Sequence, residues 1–268
     1  MSSKVETSLE ISGSRKTQRF LDSARNDKAR EATRPFFGAL TVYRDLTPHS
    51  AAMNMAIDEA VLETAVIPTI RFYRWQSPAL SFGYFGKFSD VAIYAAEREL
   101  VRRWTGGGIV CHGDDLTYSI VIPASDPVFA ESSLATYERV HGALCAALSG
   151  VGERAVVAGG VDPKGFVVGI QAAVTASGYN CFANPVRADV MMDGRKIAGA
   201  AQRRTRRGLL QQGSVQGIII KTDLARKFAQ ALSANCSEFE VNEQILQRAR
   251  ELAQQKYGTD SWLKKKVV

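Results

Sequence analysis

Residues 177–204 decide the fold, and they read SGYNCFANPVRADVMMDGRKIAGAAQRR. Within this stretch, Asp193-Gly194 predicts a tight hairpin, because both central positions of a type I′ turn require a positive φ angle. Val190 and Met192 supply apolar strand positions before the turn. We therefore expect two short strands here, the second folding back along the first.

The predicted hairpin brings a cation towards a thiol. Lys196 follows the turn and lies fifteen positions after Cys181. A nearby cation stabilises a thiolate, which is the attacking form of cysteine. Taken singly, such a cysteine is more often a small buried hydrophobe, and a lysine beside a turn is more often solvated. Other parts of the chain must decide between these interpretations.

A second informative stretch is residues 102–119, RRWTGGGIVCHGDDLTYS. The three glycines at 106–108 let the backbone approach a ligand closely and expose N–H groups to an anion or a carbonyl oxygen. The stretch is neither a Walker A loop nor a dinucleotide fingerprint. If residues 109–112 form a strand, Cys111 and His112 point to opposite faces and cannot form a catalytic dyad.

Composition places the chain among globular proteins. Of its 268 residues, 46% are hydrophobic, without a run of about eighteen apolar residues that would span a membrane. The first residues lack a signal-peptide core, so we expect a cytoplasmic protein. The four cysteines and three histidines have no zinc-binding spacing, so we predict no metal. Residues 1–34 are polar and predict a disordered or loosely packed extension, followed by a single domain at 35–268.

The net charge of +7 bears on the partners of this protein. Its basic residues are spread along the chain and form no recognition motif, so nucleic acid is not expected. The charge suits an acidic protein partner, which it would steer during encounter, or it serves solubility alone.

Local patterns predict strands and helices that alternate without a regular βαβ rhythm. This favours an α+β fold with a mixed, largely antiparallel sheet flanked by helices. The predicted strands are 40–44, 69–75, 79–84, 109–112, 116–123, 166–174 and 209–220. The predicted helices are 51–65, capped by Ser50, then 90–100, 133–148, 222–234 and 241–257.

Several side chains receive structural predictions. Cys145 should fill the core beside the apolar stripe of helix 133–148, and His141 should lie on the surface of that helix. Cys236 should be an inert thiol in a polar link, and the tail at 264–266 should fray. An aromatic cluster should pack in the core or line an apolar ligand tunnel; its members are Phe72, Trp75, Phe82, Tyr84 and Phe85.

Several motifs together resemble the lipoate–protein ligase and octanoyltransferase family. The resemblance covers roughly residues 40–215. It rests on NMAIDEA at 54–60, RFYRW at 71–75, PALS at 78–81, 102–112, LTYS at 116–119, GRKIAGAAQR at 194–203 and QGS at 212–214. The family shares its fold with biotin–protein ligase, which implies a catalytic domain like that of class II aminoacyl-tRNA synthetases.

The resemblance also implies roles for individual residues. Members that use ATP have an Arg-Asn-Asp element where this chain has Asn180-Cys181-Phe182. Transferases of the LipM type have Cys-Phe at this place, with a lysine at the spacing of Lys196. The resemblance to the LipM type implies that Cys181 carries an acyl-thioester, that Lys196 stabilises the thiolate of Cys181, and that no cofactor is needed. The implied substrate-binding residues are Arg103, Thr105, Gly106, Gly107, Gly108, His112, Ala198 and Gly199.

The activity so implied is transfer of an octanoyl group from octanoyl-acyl carrier protein to a lysine. The acceptor would be a lipoyl domain or the glycine-cleavage H protein, and the enzyme a monomer without nucleic-acid or membrane partners. One position departs from the pattern, because LipM-type loops usually have Arg where this chain has Gly108. Two alternatives stay open: an ATP-dependent lipoate ligase acting through lipoyl-adenylate, and a non-catalytic module that binds acylated or lipoyl proteins.

Overall fold

The computed structural model describes residues 35–159 and 186–267. Cys181, the extension at 1–34 and the predicted strand at 166–174 lie outside the described residues. The described strands are β1 (Leu40–His49), β2 (Thr69–Trp75), β3 (Ala79–Phe82), β4 (Glu99–Arg102), β5 (Val110–His112), β6 (Leu116–Pro123), β7 (Val156–Val157), β8 (Val190–Met192), β9 (Arg195–Arg204), β10 (Gly208–Val215) and β11 (Cys236–Phe239). The helices are α1 (Ala51–Thr64), α2 (Ser133–Gly150), α3 (Leu224–Leu232), α4 (Glu243–Leu252) and α5 (Asp260–Leu263).

Two sheets organise the fold. The larger has eight strands in the order β11-β1-β2-β6-β10-β9-β8-β7, and the smaller has the order β4-β3-β5. In the larger sheet, β11, β1 and β2 are parallel, and every neighbouring pair from β2 to β7 is antiparallel. This confirms the prediction of an α+β fold with a mixed, largely antiparallel sheet.

Helices cover both faces of the larger sheet, as the alternation of its side chains requires. On one face, Ile70 and Phe72 of β2 pack in a core that includes Val140 of α2 and Phe228 of α3. On the other face, Tyr73 belongs to a second core built mainly from α1 and α4. Because α1 lies between the sheet and α4, most of its residues are buried.

The start of α1 follows the predicted capping chemistry. Ser50 has an extended backbone, and its hydroxyl accepts a hydrogen bond from the backbone N–H of Met53. In the described segments, no helix is both long enough and apolar enough to cross a membrane.

The hairpin at Asp193-Gly194 is confirmed. Their φ angles are 49° and 75°, the left-handed region that the tight turn requires. The pairing places Met191 opposite Lys196, with a register shift between that pair and Val190–Ala198. Because a register shift changes the direction of nearby side chains, this irregularity helps to determine where the side chain of Lys196 points.

The predicted helix at 90–100 is wrong. The chain there makes two short 3₁₀ turns, Phe88–Asp90 and Ala92–Tyr94, and then enters β4. Neither turn contains a buried residue, and only Val91 between them is fully buried, so a helix would have no apolar stripe to pack. Strand pairing of β4 with β3 overrides the helix propensity of the sequence.

The predicted surface position of His141 is also wrong. The residue is 1% exposed and lies between α2 and the larger sheet. Its Nε2 atom is 3.2 Å from the Tyr118 hydroxyl, and its Nδ1 atom contacts the carbonyl of Ala188. These two partners compensate for burying a polar ring, which the helical periodicity alone could not indicate. Cys145, as predicted, packs against the core, and burial raises the pKa of its thiol to about 12.

The C-terminal region holds two further corrections. Cys236 lies in β11, paired with Leu40 of β1, rather than in an irregular link. The segment expected to fray is anchored by Arg102, a fully buried side chain. Its guanidinium donates hydrogen bonds to the carbonyls of Trp262, Leu263 and Lys265 at 3.0–3.2 Å.

Candidate active site

A pocket opens between the two sheets, on the face of the larger sheet that carries α1. The described residues contribute walls from α1, from β2, β6, β9 and β10 of the larger sheet, and from the small sheet. Its lining is Met55, Tyr73, Trp75, Ser81, Arg103, Val110, His112, Thr117, Lys196, Gly199, Ala200, Ala201, Gln212, Gly213 and Ser214. Aromatic and small apolar side chains thus surround a few polar groups, as is usual for small-molecule sites.

The ammonium group of Lys196 lies in this wall as part of a buried ion pair. Its Nζ atom is 2.8 Å from Oδ2 of Asp189, and the two side chains are 4% and 5% exposed. The same carboxylate oxygen accepts a hydrogen bond from the backbone N–H of Val186 at 2.7 Å. Ion pairs so removed from water are stable only with such additional hydrogen bonds.

Gly199 makes room for the lysine side chain. A Cβ atom on Gly199 would lie 2.7 Å from Cε and 2.8 Å from Nζ of Lys196, and 3.2 Å from Oδ1 of Asp189. The side chain of Lys196 therefore crosses directly over the glycine backbone. The absence of a side chain at 199 fixes where the ammonium group sits in the pocket.

His112, another residue of the pocket wall, is held by a carboxylate. Its Nδ1 atom is 2.8 Å from Oδ2 of Asp115, and its ring stacks on Trp75 at 4.1 Å between centroids. Burial lowers the pKa of His112, although Asp115 acts in the opposite direction. Burial also opposes ionisation of Asp115, but hydrogen bonds from His112, Thr117 and Ser214 outweigh it and lower its pKa to about 2.

Ser81 links His112 to the glycine loop. The Ser81 hydroxyl lies 2.7 Å from Nε2 of His112, and Nη1 of Arg103 donates to the same oxygen at 2.7 Å. Arg103 also donates through Nη2 to the carbonyls of Gly106 and Gly108, at 3.0 and 2.8 Å. The glycine loop therefore wraps around the guanidinium of Arg103 through its carbonyl groups.

The opposite orientations of the two arginines follow from strand geometry. Successive side chains of a strand point to opposite faces, so Arg102 at the end of β4 turns to the C-terminal segment and Arg103 to the pocket. The chain approaches closely here, because a Cβ atom on Gly83 would lie 2.1 Å from the carbonyl oxygen of Gly107. The loop can therefore pack on β3 only where residue 83 is glycine.

Gln212 is fixed in the wall by two partners behind it. Its Oε1 accepts a hydrogen bond from the hydroxyl of Thr105 at 2.8 Å, and its Nε2 donates to Oδ2 of Asp58 at 2.7 Å. Asp58 also accepts a hydrogen bond from Ser119 at 2.7 Å. Both ends of the amide are thus paired, so its orientation is determined.

Asp58 in turn belongs to a buried network centred on Arg71. All five guanidinium N–H groups can be assigned to acceptors: Nε and Nη2 to Asp45, Nη2 also to the Asn54 side chain, and Nη1 to Asp58 and the Asn54 carbonyl. Arg71 is 1% exposed and Asp58 fully buried. The network connects α1 to β2 directly beneath the pocket.

Four of the site residues predicted from the sequence lie in the pocket wall: Arg103, His112, Lys196 and Gly199. Thr105 lies just behind it, bonded to Gln212. Gly106, Gly107 and Gly108 contact the site through Arg103 and Gly83, and Ala198 lies on the other face of β9, in the core with α2. Cys181 lies outside the described residues. Of the aromatic cluster, Trp75 lines the pocket, Phe72 and Phe82 are buried in the core, and Phe85 is exposed.

Sequence reasoning missed four residues: Ser81, Asp115, Asp189 and Gln212. Asp115 was detectable in principle, since it follows His112 by three positions in a turn-rich segment. Ser81 and Asp189 gave no local signal, because their partners come from pairing between strands. Among residues 35–159 and 186–267, no cluster of His, Cys, Asp and Glu has an arrangement that could hold a metal ion.

Comparison with known families identifies what this fold and pocket resemble. The model of the lipoyl protein ligase A/B catalytic domain matches residues 50–255, more than half of the chain. Octanoyltransferase LipM of Oceanobacillus iheyensis is 38% identical over 177 residues, which cover 63% of this chain and 61% of that protein. Octanoyltransferase LipM of Symbiobacterium thermophilum is 29% identical and covers 78% and 92%. The chain thus spans about three fifths of the length of the first of these relatives.

Two solved structures superpose on this fold. Lipoate-protein ligase A bound with ATP superposes with a TM-score of 0.65 at 21% identity, covering 85% of this chain and all of that one. A structure from Thermoplasma acidophilum, described as a bi-partite lipoate protein ligase and its E2 lipoyl domain, has a TM-score of 0.63 at 20% identity and covers 87% of this chain and 98% of that one. At this identity the likeness establishes the fold.

Proposed function

The chain belongs to the lipoyl protein ligase A/B catalytic-domain family, and we propose from this that it is an octanoyltransferase of lipoate biosynthesis. In this proposal it takes an octanoyl group from octanoyl-acyl carrier protein, holds it as a thioester on Cys181, and passes it to a lysine of a lipoyl domain or the glycine-cleavage H protein. Relatives named octanoyltransferase LipM support the choice of acyl group. The Thermoplasma acidophilum ligase, described together with its E2 lipoyl domain, supports the choice of acceptor.

The observation that carries the proposal is the position of Lys196. Its ammonium group lies in the wall of a pocket with apolar sides, where it pairs with Asp189 and passes over the backbone of Gly199. A fixed cation beside an acyl pocket can stabilise a thiolate nucleophile and the oxyanion that forms on an acyl carbonyl. In this role Lys196 acts as a positive charge that stays in place through both steps.

The apolar side of the pocket suits a short fatty acyl chain. Met55, Tyr73, Trp75, Val110 and Ala200 offer apolar surface close to the lysine. Burying a methylene group contributes about 0.8 kcal/mol, so an eight-carbon chain gains several kcal/mol from such walls.

The energetics of the proposed reaction require no nucleotide. Transfer from the carrier thioester to a cysteine exchanges one thioester for another. Transfer from the cysteine to a lysine amine forms an amide, which is more stable than a thioester. Both acyl-transfer steps pass through a tetrahedral intermediate whose negative oxygen needs hydrogen-bond donors, worth about 3–4 kcal/mol each in well-studied enzymes.

Intact mass spectrometry after incubation with octanoyl-acyl carrier protein tests the proposal. The wild-type protein should gain one octanoyl group that hydroxylamine removes, and Cys181→Ala should gain none. Cys111→Ala is the matched control, because Cys111 is an exposed thiol on the strand that carries His112, and this variant should be acylated like the wild type.

The same assay separates the alternatives. Incorporation of free octanoate or lipoate only in the presence of ATP and Mg²⁺ would identify a ligase and refute the proposed donor. If Cys181→Ala still gained an octanoyl group, the proposed thioester on Cys181 would be refuted. Binding of acylated carrier without any covalent product would identify a binding module.

A further inference from the structure

The pocket contains a second reactive arrangement besides Lys196, formed by Ser81, His112 and Asp115. The Ser81 hydroxyl is 2.7 Å from Nε2 of His112, and Nδ1 of His112 is 2.8 Å from Asp115. Both Ser81 and His112 line the pocket. The thiol and cation of the proposed function assign no chemical step to these groups.

The hydrogen bonds determine where each proton lies. The ionised carboxylate of Asp115 can only accept, so the ring proton of neutral His112 lies on Nδ1 and Nε2 is an acceptor. The Ser81 hydroxyl therefore donates to Nε2, and Arg103, which has no acceptor, donates to the Ser81 oxygen. A hydroxyl oxygen has two lone pairs, so the one that Arg103 does not use can accept a proton from a bound substrate group.

The acceptor amine supplies such a proton. A lysine nitrogen that attacks an acyl carbonyl becomes positively charged and must lose a proton before the amide is stable. Lys196 is poorly suited to receive that proton, since a neutral lysine would leave the buried Asp189 carboxylate without its cation. His112 is suited, because it is neutral at the acceptor nitrogen and has a carboxylate ready to stabilise the imidazolium.

We propose that Ser81 and His112 form a proton relay, positioned by Asp115, that deprotonates the attacking lysine nitrogen of the acceptor protein. This inference rests on the proposed function. As the carbon–nitrogen bond forms, the nitrogen gives its proton to the Ser81 oxygen, while the Ser81 proton moves to Nε2 of His112. The bond from the carbonyl carbon to the leaving sulfur then breaks, sulfur keeps the electron pair, and His112 later releases its proton to water.

The charges around His112 determine how the relay responds to pH. Burial lowers the pKa of His112, and Arg103 and Arg98 add to that effect, while Asp115 opposes it. Arg98 also donates to the backbone carbonyl of His112 at 3.1 Å. Lys196 contributes a further positive charge to the pocket wall. His112 is therefore neutral at pH 7, and it becomes protonated only as the pH falls below its ordinary range near 6.5.

The test measures the two steps separately in single-turnover experiments with octanoyl-acyl carrier protein and an isolated lipoyl domain. Acylation of the enzyme is followed by intact mass without the acceptor, and transfer is followed after the acceptor is added. For His112→Gln and Ser81→Ala we expect transfer to slow about 100-fold or more, the usual effect of losing a general base. Acylation should change less than about 5-fold.

The pH profile of the transfer step distinguishes a relay from a structural role. In the wild type, transfer should show an additional fall at acidic pH as His112 gains a proton. His112→Gln should lose that fall. Asp115→Asn should shift it to lower pH, because the imidazolium loses its carboxylate partner. His49→Gln is the matched control and should keep the acidic fall, since His49 belongs to a different His–Asp pair, with Nε2 3.1 Å from Oδ1 of Asp45, and does not line the pocket.

The outcomes separate the relay from the proposed function. Equal transfer rates in the wild type and His112→Gln, or a slower rate that keeps the acidic fall, would refute the relay while leaving the octanoyltransferase intact. A wild-type protein that takes no octanoyl group would refute the function and the relay together. Circular dichroism and urea midpoints near those of the wild type would exclude unfolding as the cause of a slow variant.

Discussion

The Nζ atom of Lys196 lies 2.8 Å from Oδ2 of Asp189, and the two side chains are removed from water almost completely. The two residues are on neighbouring segments of one hairpin, seven positions apart in the chain. The ion pair therefore depends on the turn at Asp193-Gly194, and so does the position of the positive charge in the pocket.

Asp189→Asn should both destabilise the protein and impair acylation. Removing one partner of a buried ion pair leaves an uncompensated charge, at a cost of about 3–5 kcal/mol. Urea unfolding should detect this loss, and the intact-mass assay should give an acylation rate at least about 10-fold lower. Glu238→Gln, which breaks the exposed pair with Arg44, is the control and should change stability by less than about 1 kcal/mol. Equal stability of the two variants would contradict the burial argument.

Gly199→Ala should impair activity more than stability. The new methyl group would overlap Cε and Nζ of Lys196, so the ammonium group must shift within its pair with Asp189. We expect at least about a 10-fold loss of acylation and a smaller loss of stability than for Asp189→Asn, because both charges of the pair remain. Gly142→Ala on α2, with open space around the added carbon, should be as active as the wild type and slightly more stable. Full activity of Gly199→Ala would show that Lys196 needs no fixed position.

Protonation of His141 should make the protein less stable in mild acid. Burial lowers the pKa of this histidine, so the folded state binds its proton less readily than the unfolded chain does. The resulting stability is complete above pH 6.5 and is lost as the pH falls towards the lowered pKa. Urea unfolding between pH 7.5 and 5 should reveal this slope, and His141→Gln should reduce it while lowering stability at every pH. An unchanged slope in the variant would assign the effect to another group.

Arg71→Met should destabilise the protein by about 3–5 kcal/mol. The variant leaves the buried carboxylates of Asp45 and Asp58 without their common cation. Thermal unfolding of this variant and of Arg74→Met, whose side chain is exposed, gives the comparison. Triple replacement of Arg71 with both carboxylates by apolar residues should recover part of the loss. A near-neutral Arg71→Met would mean that water reaches the carboxylates.

Much of the fold was predictable because its signals are local. Ser50 indicated the start of α1, Asp193-Gly194 indicated the hairpin, and alternating residues indicated β2 and β3. The helix prediction for 90–100 was wrong because propensity alone does not stabilise a helix that has no apolar stripe to bury. The pairing of β4 with β3 determines the end of this segment instead. The prediction that His141 lies on the surface was wrong because its hydrogen-bond partners, Tyr118 and Ala188, are distant from it in the sequence.

The site was predictable where a residue carries its own chemistry. Lys196, Arg103 and His112 were identified from residue type and motif, and they line one pocket. Ser81 and Asp189 have no distinctive neighbours in sequence, and only the pairing of β3 with β5 and of β8 with β9 reveals what they contact. Sequence patterns indicate the groups that react, whereas the groups that orient them depend on contacts made in the folded chain.

The chain of contacts from Gln212 through Asp58 to Arg71 has a practical consequence for protein engineering. A mutagenesis library restricted to pocket-facing positions would vary Gln212 and leave Asp58 and Arg71 unchanged. Since Asp58 holds the amide and Arg71 holds Asp58, changes in substrate preference that require the amide to turn would be inaccessible to such a library. Selections for new substrates should therefore vary helix α1 together with the pocket.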